Sequence, residues 1–188
     1  MHWCRYLLEG KNVNLRLMEK SDIDFFLENY NNPDSWGKID FVAQIPQEEM
    51  TREFDNPTPL QVVIERKRFI IEKKDGTKIG WISHRLAQPD GWTEVGYLIV
   101  PKEREKGYGT EAIQLMVDYL FLSKDIVRVQ AGTHVKNKQS QKTLEKVGFR
   151  REGTVWKAYF VHGEWADHYM YSILREEWKE PKILTKTA

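Results

Sequence analysis

Apolar and polar residues alternate along "NVNLRLM" (12–18), a period of two that predicts a strand with one buried face. The period then changes. In "SDIDFFLENYNN", Ile23, Phe26, Leu27 and Tyr30 fall on one helical face, with Ser21 and Asp24 spaced as a capping-box-like start. Asn31, Asn32 and Pro33 end that helix. Residues 34–65 hold no sustained period because Pro46, Pro57 and Pro59 interrupt them, although "QEEMTREF" reads as a short helix. "RFIIEKK", the turn Asp75-Gly76 and "KIGWISHRL" predict a β-hairpin. Pro89, Asp90 and Gly91 turn the chain into the strand "TEVGYLIV". A helix to about Leu122 follows, with Ile113, Val117 and Leu120 at helical spacing. "VRVQAGTHV" is a strand rich in β-branched residues, and "KQSQKTLEKV" is a helix closed by Gly148. Arg150 to Leu174 alternates as two strands around His162-Gly163. This order predicts an α/β (α+β) chain with a mixed sheet flanked by helices.

At 188 residues the chain has the length of one domain, or one domain with an appended element. Its 40% hydrophobic and 30% charged residues match an ordinary globular core and surface. A net charge of +1 argues against bulk-charge binding to nucleic acid or an acidic membrane, so neither partner is expected. Cys4 is the single cysteine, which excludes an internal disulfide and a zinc site of several thiolates. His2, His84, His134, His162 and His168 show no metal-ligand spacing and read as scattered surface or strand histidines, so no metal is expected. Neither a signal-peptide core nor a run of membrane-spanning length is present, and the expectation is a cytoplasmic protein. Association as a homodimer is left open.

Between Val100 and Ala112 the chain reads "VPKEREKGYGTEA", which sets Gly107 and Gly109 at the junction of a strand and a helix. Glycine there costs conformational entropy, so a tight turn, a close packing contact or a ligand on the backbone should compensate. The spacing is neither a dinucleotide fingerprint nor an NTP-binding loop with its Gly-Lys-Ser/Thr ending. A plain connection and a phosphate site both fit the glycines alone. Context favours the anion, because free N–H groups and the positive end of a helix dipole converge there. Arg104 and Lys106 add cationic charge without filling the space.

Arg104-x-x-Gly107-x-Gly109 resembles the acyl-CoA pyrophosphate loop of the GNAT N-acetyltransferases. "HVKNKQSQKTLEKVGFRREGT" is similar to that family's second CoA-contacting region, and "NVNLRLMEKSDIDFFLENYNNPD" to its first strand and helix. The similarity runs from about Asn12 to Trp178, implying an extension over 1–11, the GNAT domain over 12–178 and a tail over 179–188. "GEWADHYMYSILREEW" looks most like the branch containing the ribosomal-protein N-terminal acetyltransferases. The resemblance implies a mostly antiparallel sheet of about seven strands, splayed between the fourth and fifth. It also implies acetyl-CoA as cosubstrate, held by the backbone of Leu98, Ile99 and Val100, by the loop residues Arg104, Lys106, Gly107, Tyr108, Gly109 and Thr110, and by Asn137 and Ser140.

The implied reaction is attack of a primary amine (a protein N-terminus, a polyamine or another small amine) on the thioester. Glu94 is the candidate general base, against the reading of an exposed strand carboxylate balancing Arg or Lys. The family often carries a Tyr seven residues after the CoA-binding Asn, near the departing sulfur; here that place holds Leu144. Ser140 is the candidate to bond the sulfur, against helix capping. Asn137 would bond the pantetheine amides, against a turn role. Trp36, Trp81, Trp92, Tyr97, Trp156 and Tyr159 could line an acceptor cleft, although strand aromatics are more often core. Trp36 and Tyr97 are the acceptor-side candidates. Two alternatives remain. An aminoglycoside-type acetyltransferase would need an acidic cleft, which Asp34, Asp40, Glu48 and Glu49 could supply. A non-catalytic acyl-CoA sensor would keep the loop without the acid and base groups.

Overall fold

The computed structural model describes residues 8–37, 44–55, 64–87 and 91–182. Along the chain lie β1 (Leu8–Glu9), β2 (Val13–Leu17), α1 (Ile23–Tyr30), α2 (Pro33–Trp36), α3 (Gln47–Asp55), β3 (Ile64–Lys73) and β4 (Lys78–Ala87). Then come β5 (Trp92–Ile99), α4 (Tyr108–Ser123), β6 (Arg128–His134), α5 (Lys138–Val147), β7 (Arg150–Val161) and β8 (Glu164–Leu174). The strands form one eight-stranded sheet in the order β1-β2-β3-β4-β5-β6-β8-β7. Every pairing is antiparallel except that of β5 with β6.

The expected elements are present, with instructive differences at the ends. The sheet has eight strands because Leu8 and Glu9, placed in an extension by the sequence, pair with Leu15 and Asn14. Glu111 of α4 holds that edge: its carboxylate accepts from the Asn12 and Val13 N–H groups and from Asn12 Nδ2. At the other end the supposed tail is docked as far as Lys182, whose N–H reaches Asp118 and whose ammonium reaches the Val147 carbonyl. Pro33 does more than stop α1. It opens α2 from the first helical position, with Asn32 as cap accepting from the Asp34 N–H at 2.9 Å.

Alternation along the strands sorts side chains to two layers. On one face Val95 and Ile99 of β5, with Val129 and Ala131 of β6, pack against Ala112, Ile113, Met116 and Leu120 of α4 and Leu144 of α5. On the other face Leu98, Trp81 and Ile70 pack beneath Ile23, Phe26 and Leu27 of α1 and Met50 of α3. The gap between β5 and β6 lies between these layers.

A buried ionic knot joins the start of α1 to the sheet. Arg16 donates to Asp22 through Nη1 (2.6 Å) and Nη2 (2.8 Å) and to Glu72 through Nε (2.8 Å), and Lys78 reaches Asp22 at 2.6 Å. Asp22, not Ser21 with Asp24, completes the capping box: its carboxylate accepts from the Glu19 N–H. Local spacing could not reveal this, because Asp22 is selected by a partner on β2. Burial alone would raise the Asp22 pKa, but the hydrogen bonds from Arg16 and Lys78 hold it well below the usual carboxylate range. A buried pair that loses one member leaves the other unpaired, so Asp22→Ala should cost about 3–5 kcal/mol in urea unfolding. The depressed pKa means the Asp22 contribution is present above about pH 3.8 and is lost as pH falls further, a limb that Asp22→Ala should lack.

Candidate active site

β5 pairs with β6 only where Trp92, Thr93 and Glu94 face Arg128, Val129 and Gln130. Beyond Glu94 the strands part, and a cavity of about 960 Å³ follows the opening. At one end stands the start of α4. Gly107 caps it at φ +86°, a left-handed conformation that other residues adopt only with strain, and no side chain caps the helix. The first intrahelical bond runs from the Glu111 N–H to the Gly107 carbonyl, so the N–H groups of Tyr108, Gly109 and Thr110 have no helical acceptor. A Cβ on Gly109 would make ordinary contacts, 3.5 Å to Ile99 Cγ1 and 3.7 Å to Tyr97 Cε2. Packing therefore tolerates a small side chain at Gly109, and its absence keeps the cavity open.

Across the opening, α5 contributes Lys138, Lys142 and Lys146, one face at i, i+4 and i+8. This row goes beyond the residues expected from the sequence, although its spacing is plain in "KQSQKTLEKV". None of the three has a carboxylate partner among the described residues. Arg104 is placed differently from a freely swinging phosphate ligand. Its Nε donates to the Ile99 carbonyl at 2.9 Å and its Nη2 to the Ser35 carbonyl. Burial pushes its pKa below the ordinary arginine value. Two expected contacts lie off the cavity. The Val100 N–H is taken by the Ile79 carbonyl in continuation of the β4 pairing, and Lys106 is ion-paired to Glu103 at 2.9 Å.

Leu98, Ile99, Gly107, Tyr108, Gly109, Thr110, Asn137 and Ser140 all line the cavity. Asn137 caps α5: its Oδ1 accepts from the Ser140 N–H at 3.1 Å, leaving the Nδ2 donors. Capping, the alternative weighed for Ser140, is thus done by Asn137. Ser140 Oγ lies 3.1 Å from the Tyr97 hydroxyl. Leu144 is fully buried in the core beneath α4. Tyr97, expected on the acceptor side, belongs to the opposite layer. Strand alternation sends its ring toward α4 and α5, where burial pushes its pKa up while bonds to Ser140 and Thr143 pull it back.

The far wall is aromatic. Trp36 stacks edge-on to Tyr30 (5.4 Å between centroids), donates its Nε1–H to the Tyr30 carbonyl at 2.6 Å, and lies 6.2 Å from Trp81. Trp36, Trp81 and Tyr159 line the cavity; Trp92 and Trp156 do not, and Trp156 is 81% exposed. Glu94 lines it too, with Arg85 Nη2 at 3.5 Å from its Oε2. Asp34, Glu48 and Glu49 stand away from the cavity, and Asp40 lies outside the described residues. His168, one of the five scattered histidines, carries no local signal of a role. It packs against the bare Cα of Gly132, stacks edge-on with Tyr159 at 4.7 Å and lines the same cavity. Among the described residues, no three of His, Cys, Asp or Glu are grouped to hold a metal ion, and no helix is long and apolar enough to cross a membrane.

The family description "Acetyltransferase (GNAT) domain" matches residues 12–150. The chain belongs to the GNAT acetyltransferases. It is 34% identical over 179 residues to the putative ribosomal N-acetyltransferase YdaF of Bacillus subtilis, covering 92% of this chain and 97% of that one. A match to the uncharacterized N-acetyltransferase YnaD of the same organism is 38% identical over 85 residues, spanning 45% of this chain and half of that protein. Among solved structures, the ribosomal-protein-S5-alanine acetyltransferase of Vibrio fischeri shares the fold with a TM-score of 0.76 at 23% identity, covering 91% of this chain and 97% of that one. The spermidine N-acetyltransferase of Vibrio cholerae, solved with CoA and spermine, has a TM-score of 0.74 at 21% identity, covering 89% of this chain and 98% of that one. As in those GNAT folds, helices cover both faces of an open sheet, and the activity class is acetyl-CoA-dependent N-acetyl transfer.

Burial of His168, with the neighbouring His134, depresses its pKa from the usual 6.5 to about 4. Above about pH 6.5 the folded and unfolded chains are both uncharged at this position, and stability is full. As pH falls toward 4 the unfolded chain takes up a proton that the folded chain refuses, so stability drops, by up to about 3 kcal/mol. His168→Gln should flatten that limb in melting curves recorded between pH 7 and 4.

Proposed function

We propose that this chain moves an acetyl group from acetyl-CoA to a primary amine by direct attack within a ternary complex. One observation carries the reading. A single cavity joins the uncapped start of α4 and the α5 lysines to Glu94 and Trp36 through the gap where β5 leaves β6. Its residues fit an acyl-CoA. A diphosphate would meet the N–H groups of Tyr108, Gly109 and Thr110, with the remaining donors of Arg104 beside them. Lys138, Lys142 and Lys146 would face the third phosphate, and the Ile99 N–H with Asn137 Nδ2 would bond the pantetheine amides; the Leu98 backbone, expected to join them, has the parity of Val100 and is turned to Trp81 of β4. Lys106, tied to Glu103, contributes only through its field. Acetyl-CoA supplies the activated acetyl group and a thiolate leaving group.

The protein's task is to free the amine and settle the departing charge. Glu94, on the acceptor face at the last paired position of β5, takes the amine proton directly or through a water. Ser140 donates its hydroxyl proton toward the sulfur, and Tyr97 donates to Ser140. The raised phenol pKa keeps Tyr97 protonated at neutral pH, so a tyrosine from β5 covers for the missing one at Leu144.

Acetyl-CoA or CoA should raise the melting temperature, and NAD or ATP at equal concentration should do so far less. Equal shifts from all of them would overturn the donor assignment. Gly109→Val should fold normally and bind CoA weakly in calorimetry, because the branched side chain occupies the cradle. Once an acceptor is found, Glu94→Gln should keep CoA affinity and lose about 10²–10⁴-fold in kcat at neutral pH, the loss shrinking as pH rises and free amine becomes available. An unaltered pH–rate profile would place the base elsewhere.

A further inference from the structure

The register of β3, β4 and β5 sets Arg66 opposite Arg85, and Arg85 opposite Glu94, as one row across the acceptor face. Like charges directly opposite one another in a sheet repel, and nothing in the fold requires two arginines there. All three residues line the cavity. Their neutralisation is incomplete. Arg85 meets Glu94 only at 3.5 Å, with 40% and 34% of the two side chains exposed, and Arg66 is exposed with no ion pair among the described residues. Arg68, two residues along β3 from Arg66, shows what a settled arginine looks like here: it is bound to Glu53 at 2.6 Å and lies over the Phe26 ring.

We propose that the acceptor is an amine carrying a carboxylate or phosphate group, and that Arg66 and Arg85 bind that anion. The proposal rests on the acetyl-transfer reading and names its substrate class. Adjacent strands lie about 4.8 Å apart, so Arg85 and Arg66 are rooted one and two strand spacings from β5, roughly 5 and 10 Å from the strand beside which the amine reacts. An anion at that separation from the nitrogen spans the row, and the planar forks of arginine suit both groups. An anion taken up by Arg85 also replaces Glu94 as its partner, leaving Glu94 for the amine proton. The same row repels polyamines and aminoglycosides, whose several positive charges would meet two arginines and one carboxylate.

The test uses matched pairs of amines that differ in the anion: phosphoethanolamine and ethanolamine, and peptides opening with Asp or Glu and their Asn or Gln counterparts, with spermidine as the polycation. Calorimetry of each onto CoA-saturated protein is read beside CoA release from acetyl-CoA. At least one anionic amine should bind and react about tenfold or more better than its twin, and which pair does so tells the phosphate source from the peptide source. Arg66→Gln and Arg85→Gln, melting as wild type, should raise KM for that amine alone and collapse the gap, as should added salt. Twins bound alike, spermidine preferred, or a gap unchanged in both variants would each overturn the proposal. Because CoA binding is measured first, a protein that binds CoA yet ignores the anion defeats this inference only, whereas failure to bind CoA defeats the acetyl-transfer reading beneath it.

Discussion

Three residue pairs hold β5 to β6, and the architecture of the site follows from the pairing stopping there. A parallel pair needs a crossover, and here the crossover is α4, whose start must lie just beyond the end of β5. The divergence then leaves two strand edges without mutual hydrogen bonds, at the same end as the unsatisfied N–H groups of the helix. Backbone chemistry of this kind can be satisfied by an extended ligand with an anionic end. Side chains refine the site, but the opening itself is a property of topology. It also divides the strand, because even-numbered residues of β5 (Glu94, Leu98) face the side of α1 and α3 while odd-numbered ones (Val95, Tyr97, Ile99) face α4 and α5.

Two kinds of charge cluster serve different ends in this protein. Arg16, Asp22, Glu72 and Lys78 neutralise one another at hydrogen-bond distance inside the sheet edge, far from the opening. Such a knot adds little net stability over an apolar alternative but fixes the start of α1 in one register. Glu94 and Arg85 form a loose, half-exposed contact that a ligand can enter. Tightness marks the structural cluster, and looseness marks the site.

Much of the fold was legible from periodicity, because most strands bury one face and the turns carry Asp-Gly, His-Gly or Pro signals. The glycine segment and the Asn137 region could be located because they are local in sequence. Most of what escaped was non-local. The Asp22 capping box depends on Arg16, the partners of Arg104 lie on β5 and α2, and the row of Arg66, Arg85 and Glu94 exists only once register is set. His168 looked like any strand histidine until Gly132 made room for its ring. Tyr97 faces the helices and not the expected acceptor side, a placement that the parity of "TEVGYLIV" already implies.

Arg104 bonds at once to the carbonyl of Ile99, at the end of β5 just before the start of α4, and to the carbonyl of Ser35, next to Trp36. One guanidinium is therefore a mechanical strut between the two halves of the site. Its planar fork fixes an angle as well as a length, so the turn that follows β5 and the segment that carries Trp36 are held in one mutual geometry, and a change at Arg104 would loosen both walls together.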